Sequence, residues 1–229
     1  MTERILAIVP AYNEEESLRS TIEELKQKAP SIDFIIINDG STDGTRDICL
    51  ENRYPFIDMP TNVGLTAGFQ TGMKYALRHG YSCAVQFDAD GQHRPEFLSV
   101  MAQVMRASGA DIVIGSRFVS EKKDYSARMI GSRLISSIIR MTTGQVISDP
   151  TSGLRMFNHQ MIEKFASDCS LSPEPETIAY LMRRGASVSE VQVSMRERVA
   201  GESYLSLSKS VAYMVRACTS ILFAQWFRG

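Results

Sequence analysis

Short apolar runs alternate with longer amphipathic segments through the first half of this chain. Runs of four or five mostly apolar residues predict buried β-strands, and they lie at 5–9, 34–37, 56–59, 83–87 and 111–115. The intervening segments have helical periodicity and predict α-helices at 14–28, 43–52, 63–79 and 95–107. Continuous apolar strands separated by helices are typical of a mainly parallel sheet that is covered on both faces. We therefore expect an α/β fold with a Rossmann-like central sheet flanked by helices.

The second half of the chain has a different pattern. Residues 127–141 predict an amphipathic helix, residues 190–193 a strand, and residues 204–227 a long C-terminal helix. The charges of Lys209 and Arg216 argue against a membrane-spanning role for this last helix. Its aromatic and basic residues suit a helix that lies at a membrane interface, whereas packing on the domain or in a homodimer is the alternative. We expect a domain at 1–203 and a C-terminal helical segment at 204–229.

Composition restricts the class of protein. The chain has 229 residues, enough for one α/β domain, and its 25 basic and 26 acidic residues give a net charge of −1. This balance does not favour binding to nucleic acid. No uninterrupted apolar stretch reaches the ~18 residues of a spanning helix, and the N-terminus does not have a signal-peptide pattern. The four cysteines are widely spaced, which favours reduced thiols in the cytoplasm.

Polar clusters directly follow four of the predicted strands. They comprise residues 10–14, 38–43, 88–90 and 115–117. Any one of them could be an ordinary loop. However, ligands of open parallel sheets bind at the carboxyl ends of the strands, so four clusters at these ends predict one polar crevice.

The most informative cluster contains Asp88 and Asp90, which come after the apolar run 83–87. Two carboxylates that converge at a strand end suit a hard divalent cation such as Mg²⁺ or Mn²⁺. Such a cation keeps coordination positions open for substrate phosphates. A solvated turn is the alternative interpretation, because Asp and Gly are common turn residues.

Several motifs together resemble family 2 glycosyltransferases of the GT-A fold, and more narrowly the polyprenyl-phosphate sugar transferases of the dolichyl-phosphate mannose synthase type. The matching segments are Val9-Pro10-Ala11-Tyr12-Asn13-Glu14, Asn38-Asp39-Gly40-Ser41-Thr42-Asp43, Asn62-Val63-Gly64, Asp88-Ala89-Asp90-Gly91-Gln92-His93, Gly115-Ser116-Arg117 and Asp149-Pro150-Thr151-Ser152-Gly153. They extend over nearly the whole chain. Asn38 is a departure, because many members of the family have Asp there.

The resemblance implies roles on the donor side of the crevice. The implied nucleotide-binding residues are Pro10, Ala11, Tyr12, Glu14, Asp39, Gly64, Asp88 and Ala89. The implied metal ligands are Asp88, Asp90 and Gln92. A cation held there would neutralise the diphosphate leaving group.

The resemblance also implies residues for the acceptor and for catalysis. Arg117, Arg128 and Ser132 would bind a lipid phosphate, and Arg suits phosphate because its planar fork donates two hydrogen bonds. The implied catalytic residues are Asp90, Asp149, Arg117 and Glu176. A surface helix with solvated arginines is the alternative for the segment that contains Arg128. The polar loop before that helix, with Lys122 and Lys123, is expected to cover the acceptor site.

The sequence therefore predicts a metal-dependent, inverting glycosyltransferase that transfers a sugar from a nucleotide-sugar donor, preferably a UDP-sugar, to a polyprenyl phosphate. We expect a peripheral protein at the cytoplasmic face of the cell membrane. A first alternative is transfer to a hydroxyl of a saccharide, for which Asp149 or Glu176 would be the general base. A nucleotidyltransferase and a non-enzymatic nucleotide-sugar binding module are further alternatives, although the intact aspartates argue against the binding module.

Overall fold

The structure, a computed structural model, describes residues 4–121, 127–197 and 207–227. Within these ranges, side chains are described except at 127–128, 207–211 and 224–227. The strands are β1 Ile5–Ala11, β2 Asp33–Asn38, β3 Phe56–Asp58, β4 Cys83–Gln86, β5 Ile112–Ser116, β6 Arg155–Asn158 and β7 Val188–Gln192. The helices are α1 Leu18–Lys28, α2 Thr45–Glu51, α3 Leu65–Arg78, α4 Glu96–Ser108, α5 Ala127–Thr143, α6 His159–Ser167, α7 Pro175–Arg183 and α8 Leu207–Phe227.

The described strands form one sheet in the order β3-β2-β1-β4-β6-β5-β7. Strand β6 is antiparallel to both of its neighbours, β4 and β5, while the other pairs are parallel. The predicted α/β fold with a mainly parallel sheet is therefore confirmed. The hydrophobic pattern did not predict β6, α6 or α7. Strand β6 gives a weak signal, because it has only four residues and begins with an arginine.

Both faces of the sheet are buried, which explains why its strands are continuous apolar runs. In β1, Leu6 and Ile8 pack on the face covered by α3, α5, α6, α7 and α8. Ala7 and Val9 point to the opposite face, where α1 and α4 supply the apolar contacts. Because helices cover both faces, the polar clusters that follow the strands lie at the carboxyl-terminal edge of the sheet.

Helix α1 begins at Leu18, four residues later than the predicted start at residue 14. The carbonyl of Glu14 accepts hydrogen bonds from the backbone N–H groups of Ser17 and Leu18, which forms a turn before the helix. Asn13 has a φ of 54°, a left-handed conformation that does not continue into an α-helix. The polar residues after β1 therefore form a loop at the sheet edge.

Helix α8 packs on α5 and α7 and contributes to the same core as the sheet. Its Ala217, Cys218 and Ile221 are buried, and Met214 lies against Gly131 of α5. Val215 and Phe223 on α8 remain exposed. Packing on the domain was one of the alternatives for this segment, while a membrane contact of its outer face stays a prediction. Within the described residues, no helix is both long and apolar enough to cross a bilayer.

Helix α3 presents two glycines to the sheet, Gly72 towards β1 and Gly68 towards β2. A Cβ atom at Gly72 would lie 2.3 Å from Cγ2 of Ile8, whereas one at Gly68 would lie 3.7 Å from Cγ2 of Ile37. The first distance is a severe overlap with a β-branched side chain, and the second is an ordinary van der Waals contact. The packing of α3 on the sheet therefore requires glycine at position 72 only.

We predict that Gly72→Ala lowers the free energy of unfolding by about 1–3 kcal/mol, because overpacking forces α3 away from β1. Gly68→Ala is the matched control on the same helix. It should leave stability unchanged or raise it by up to about 1 kcal/mol, since alanine is the better helix former. Urea unfolding of both variants measures the difference, and equal stability of the two would contradict this account of the α3–β1 contact.

Candidate active site

A cavity of about 620 Å³ opens at the carboxyl-terminal edge of the central strands. Seven of the predicted site residues line it, namely Pro10, Glu14, Asp88, Ala89, Asp90, Gln92 and Arg117. Further wall residues come from the loop after residue 150, from the loop before α7, from residues 195–197 and from α8. The polar clusters after β1, β4 and β5 thus meet in one crevice.

Asp88 and Asp90 lie on the acidic side of this cavity. The Asp88 backbone N–H donates to Nδ1 of His93 at 3.0 Å, and Nε2 of the same buried imidazole is 3.5 Å from Oδ2 of Asp88. Oδ1 of Asp90 accepts a hydrogen bond from the backbone N–H of Gln92 at 3.0 Å. Gly153 packs so closely on Asp88 that a Cβ atom there would lie 3.0 Å from Oδ2. The loop that contains Gly153 and the imidazole of His93 therefore fix the carboxylate of Asp88.

The donor chemistry of this side fits a hard cation. Two carboxylates and the amide of Gln92 supply oxygen atoms, and Mg²⁺ or Mn²⁺ sites in nucleotide enzymes combine one or two carboxylates with phosphates and water. Among the described residues, no three His, Cys, Asp or Glu side chains converge as a complete metal cage. A cation held by two carboxylates and one amide oxygen keeps coordination positions open for a phosphate ligand.

Arg117 provides the basic side of the cavity, and Asp149 holds it in place. Nε of Arg117 donates to Oδ2 of Asp149 at 2.7 Å and Nη2 donates to Oδ1 at 2.9 Å, a bidentate ion pair. Asp149 is fully buried, and its backbone N–H donates to Glu190 at 2.9 Å. Asp149 itself does not line the cavity, so in this structure its carboxylate positions Arg117.

Asp39 lies next to the cavity, in the loop after β2. Its two carboxylate oxygens accept hydrogen bonds from the backbone N–H groups of Val63 and Gly64, each at 2.9 Å. Gly64 has a φ of +90°, a conformation that other residues rarely adopt. Neither Asp39 nor Gly64 lines the cavity, and the same holds for Ala11 and Tyr12. Nucleotide binding by these four residues stays a prediction.

The remaining predicted residues belong to helices α5 and α7. Glu176 lies in the first turn of α7, where burial raises the pKa of its carboxyl. Ser132 is buried in α5, and neither residue lines the cavity. The side chain of Arg128 lies outside the described part of the chain, as do Lys122 and Lys123. The acceptor-phosphate assignment of Arg128 and Ser132 therefore stays a prediction.

Sequence reasoning missed several side chains of the cavity wall. They are Gln86, His93, Arg155, Glu174 and Tyr213. Two of them had a signal in the sequence, since Gln86 interrupts the apolar run 83–87 and Arg155 begins a short run of large side chains. Tyr213 hydrogen bonds to Glu174, so α8 closes one side of the cavity together with the loop before α7.

Known proteins resemble this chain in both sequence and fold. The sequence profile described as Glycosyl transferase family 2 matches residues 6–165. The chain belongs to this family. It is a glycosyltransferase with the GT-A fold, and the fold and enzyme class expected from the sequence are confirmed.

Two curated relatives match almost the entire chain. A polyprenol monophosphomannose synthase of Mycolicibacterium smegmatis is 32% identical over 218 residues, which are 90% of this chain and 82% of the relative. An undecaprenyl-phosphate mannosyltransferase of Micrococcus luteus is 31% identical over 215 residues, or 89% of this chain and 88% of the relative.

Two solved structures share the fold at low sequence identity. Glucosyl-3-phosphoglycerate synthase from Mycobacterium tuberculosis, in complex with Mn²⁺, UDP and phosphoglyceric acid, has a TM-score of 0.71 at 16% identity and covers 96% of this chain and 78% of its own. A mannosyltransferase from Pyrobaculum calidifontis, in complex with GDP-Man and Mn²⁺, has a TM-score of 0.68 at 16% identity. The match covers 100% of this chain and 66% of the mannosyltransferase chain.

We predict that Asp149→Asn lowers the free energy of unfolding by about 3 kcal/mol, because it leaves the guanidinium of Arg117 without its buried counter-charge. Glu163→Gln is the control, since its contact with His159 is exposed and should matter by less than about 0.5 kcal/mol. Urea unfolding measures both variants. Unchanged stability of Asp149→Asn would contradict the claim that its ion pair with Arg117 stabilises the fold.

A second ion pair fixes residues 195–197, which form part of the cavity wall. Both terminal nitrogens of Arg196 donate to the carboxylate of Glu24 on α1, each at 2.7 Å. The Arg196 backbone N–H donates to the carbonyl of Gln92 at 3.0 Å. The Arg196 guanidinium lowers the pKa of Glu24 to about 2.

We predict that this ion pair makes stability depend on pH. A lowered carboxyl pKa stabilises the fold above the unfolded-state pKa of 4.5, and this contribution is lost as the pH falls through the folded value of about 2. Because Arg196 is partly exposed, we expect a loss of about 1 kcal/mol after screening. Between pH 5 and about 2, Glu24→Gln should therefore lose less stability than the wild type in urea titrations; equal losses would contradict the assignment.

Proposed function

We propose that this protein transfers a hexose from a nucleotide diphosphate sugar to a polyprenyl phosphate, with inversion at the anomeric carbon. The observation that carries the proposal is the pairing, within one cavity, of the acidic side at Asp88 and Asp90 with the basic side at Arg117. An acidic side suits a cation-bound diphosphate, and a fixed arginine suits a second phosphate. The names of the two mannosyltransferase relatives support the same pair of substrates.

On the donor side, Asp88, Asp90 and Gln92 would hold Mg²⁺ or Mn²⁺. When bound, the cation neutralises the charge that develops on the departing diphosphate. His93 and Gly153 keep Asp88 in place, so little reorganisation is needed when the donor enters. UDP was the nucleotide favoured from the sequence, whereas the relatives favour a mannose donor; both belong in the assay.

On the acceptor side, Arg117 would bind and orient the lipid phosphate. Asp149 engages Nε and Nη2 of its guanidinium, and Nη1 forms no hydrogen bond to any described residue. A phosphate monoester has a second pKa of about 6 and is largely ionised at neutral pH. It needs orientation and charge neutralisation rather than a strong base.

Transfer to a saccharide hydroxyl is the second candidate and would need a general base. The two sequence-derived candidates fit that role poorly in this geometry. Asp149 is bound to Arg117 and fully buried, and Glu176 has a raised pKa because of burial and does not line the cavity. These contacts support the phosphate acceptor.

A polyprenyl acceptor would bring the protein to a membrane surface. Exposed apolar side chains on α5 and α8, such as Ile130, Leu134 and Phe223, support such a contact. We propose peripheral association through this surface at the cytoplasmic leaflet, where nucleotide sugars and anionic lipids are both present.

The function is tested with the full chain, undecaprenyl phosphate and radiolabelled GDP-mannose, UDP-glucose and UDP-N-acetylglucosamine. We expect one donor to give an organic-extractable, acid-labile product in the presence of Mg²⁺ or Mn²⁺. EDTA should abolish its formation, and Asp90→Asn should lower kcat by at least about 100-fold, as expected for loss of a group that stabilises transition-state charge.

Asp47→Asn is the matched control, because Asp47 is an exposed carboxylate on α2. It should retain full activity. Donor hydrolysis without a lipid product would favour the hydroxyl-acceptor alternative. Undiminished turnover of Asp90→Asn, or activity in EDTA, would refute the metal-dependent transfer.

A further inference from the structure

Two buried polar side chains lie side by side on the floor of the cavity. Gln86 ends β4 and Arg155 begins β6, and the two residues are direct partners in the antiparallel β4–β6 pair. Direct partners project from the same face of the sheet. Both side chains line the cavity, although their residues are only 3% and 2% exposed.

Each of these side chains has one polar atom without a protein partner. Oε1 of Gln86 and Nε of Arg155 are two of the four buried side-chain atoms in the described residues for which no hydrogen bond is found. Burying such a group without a partner costs about 1–3 kcal/mol. One is an acceptor and the other a donor, so their requirements are complementary to a group that can both donate and accept.

Neither side chain is free to turn away and find another partner. Nη1 and Nη2 of Arg155 donate to the carbonyls of Pro173 and Pro150 at 2.6 and 2.7 Å. Nε2 of Gln86 donates to Oδ1 of Asp88 at 3.2 Å. These bonds fix both orientations, and the bond from Gln86 places its amide beside Asp88, the carboxylate assigned to the cation.

We propose that Gln86 and Arg155 form a subsite for one hydroxyl group of the transferred sugar. The hydroxyl donates to Oε1 of Gln86 and accepts from Nε of Arg155, which satisfies both buried atoms. A sugar ring attached to a diphosphate near Asp88 would extend over this floor. The inference rests on the proposed nucleotide-sugar donor but is independent of the nature of the acceptor.

The subsite also gives these residues a part in donor selection. A site built to hydrogen bond a hydroxyl discriminates strongly against an analogue that lacks it, because the buried partners stay unpaired. We therefore expect Gln86 and Arg155 to select donors that have a hydroxyl group at one position of the sugar ring. Positions that face elsewhere in the cavity should tolerate its removal.

The test is a double-mutant cycle between protein and donor. Binding of the active nucleotide sugar, of its deoxy analogues at each ring position and of the nucleoside diphosphate is measured by calorimetry with Mn²⁺ for the wild type and Gln86→Met. We expect one deoxy analogue to bind the wild type about 10- to 100-fold more weakly than the parent sugar does. Gln86→Met should bind the parent sugar more weakly and lose the discrimination at that position alone.

Gln70→Met is the matched control, because Gln70 is also a buried glutamine on this side of the sheet but bonds to Asp168 and Leu171 outside the cavity. It should keep the full discrimination. Arg155→Lys retains the charge but lacks Nε, and it should reproduce the effect of Gln86→Met if it folds.

The alternative occupant is a structural water molecule. In that case Gln86→Met would weaken binding of the parent sugar, all its analogues and the nucleoside diphosphate by the same factor, which would overturn the subsite. Donor discrimination with no transfer to lipid phosphate would leave the subsite standing and refute only the acceptor. If no nucleotide sugar binds, both proposals fail.

Discussion

The buried guanidinium of Arg155 is the interaction on which the cavity depends. It projects from a strand in the middle of the sheet and is 2% exposed, a position in which an ion is costly unless hydrogen bonds compensate it. Its bonds reach the carbonyls of Pro150 and Pro173, which lie in the loops before β6 and before α7. One fixed charge therefore sets the distance between the walls of the cavity.

This arrangement follows from a sheet that is buried on both faces. When neither face of a sheet contacts solvent, polar side chains lie either at the edge of the sheet or in a buried network in which every group is hydrogen bonded. The loop after residue 148 shows such a network, because Glu190 on β7 binds the backbone of Ser148 and Asp149, and Asp149 in turn binds Arg117. The guanidinium of Arg117, which faces the cavity, is thus connected to β7 through successive hydrogen bonds. Its position is therefore preorganised.

The sequence was most informative where structure is local. Apolar runs identified β1 to β5 and most of the helices between them, because a strand with two buried faces cannot carry polar residues in its centre. The motifs after these strands located Asp88, Asp90 and Arg117 in one crevice. The sequence could not reveal that β6 inserts antiparallel between β4 and β5, since this pairing depends on contacts between segments some 70 residues apart in the chain. For the same reason Gln86 was overlooked, because its partner Arg155 is adjacent only in the folded sheet.

Helix α8 illustrates how tertiary contacts show one of several interpretations that a sequence pattern leaves open. Its periodicity was compatible with a membrane interface, a dimer contact or packing on the domain. Burial of Ala217, Cys218 and Ile221 places one side of the helix in the core, and the hydrogen bond of Tyr213 to Glu174 joins it to the cavity wall. Burial and the nearby Glu174 carboxylate raise the pKa of Tyr213, which keeps its hydroxyl protonated as a donor. Helix α8 therefore contributes Tyr213 to the wall of the cavity while it exposes Phe223 at the surface of the protein.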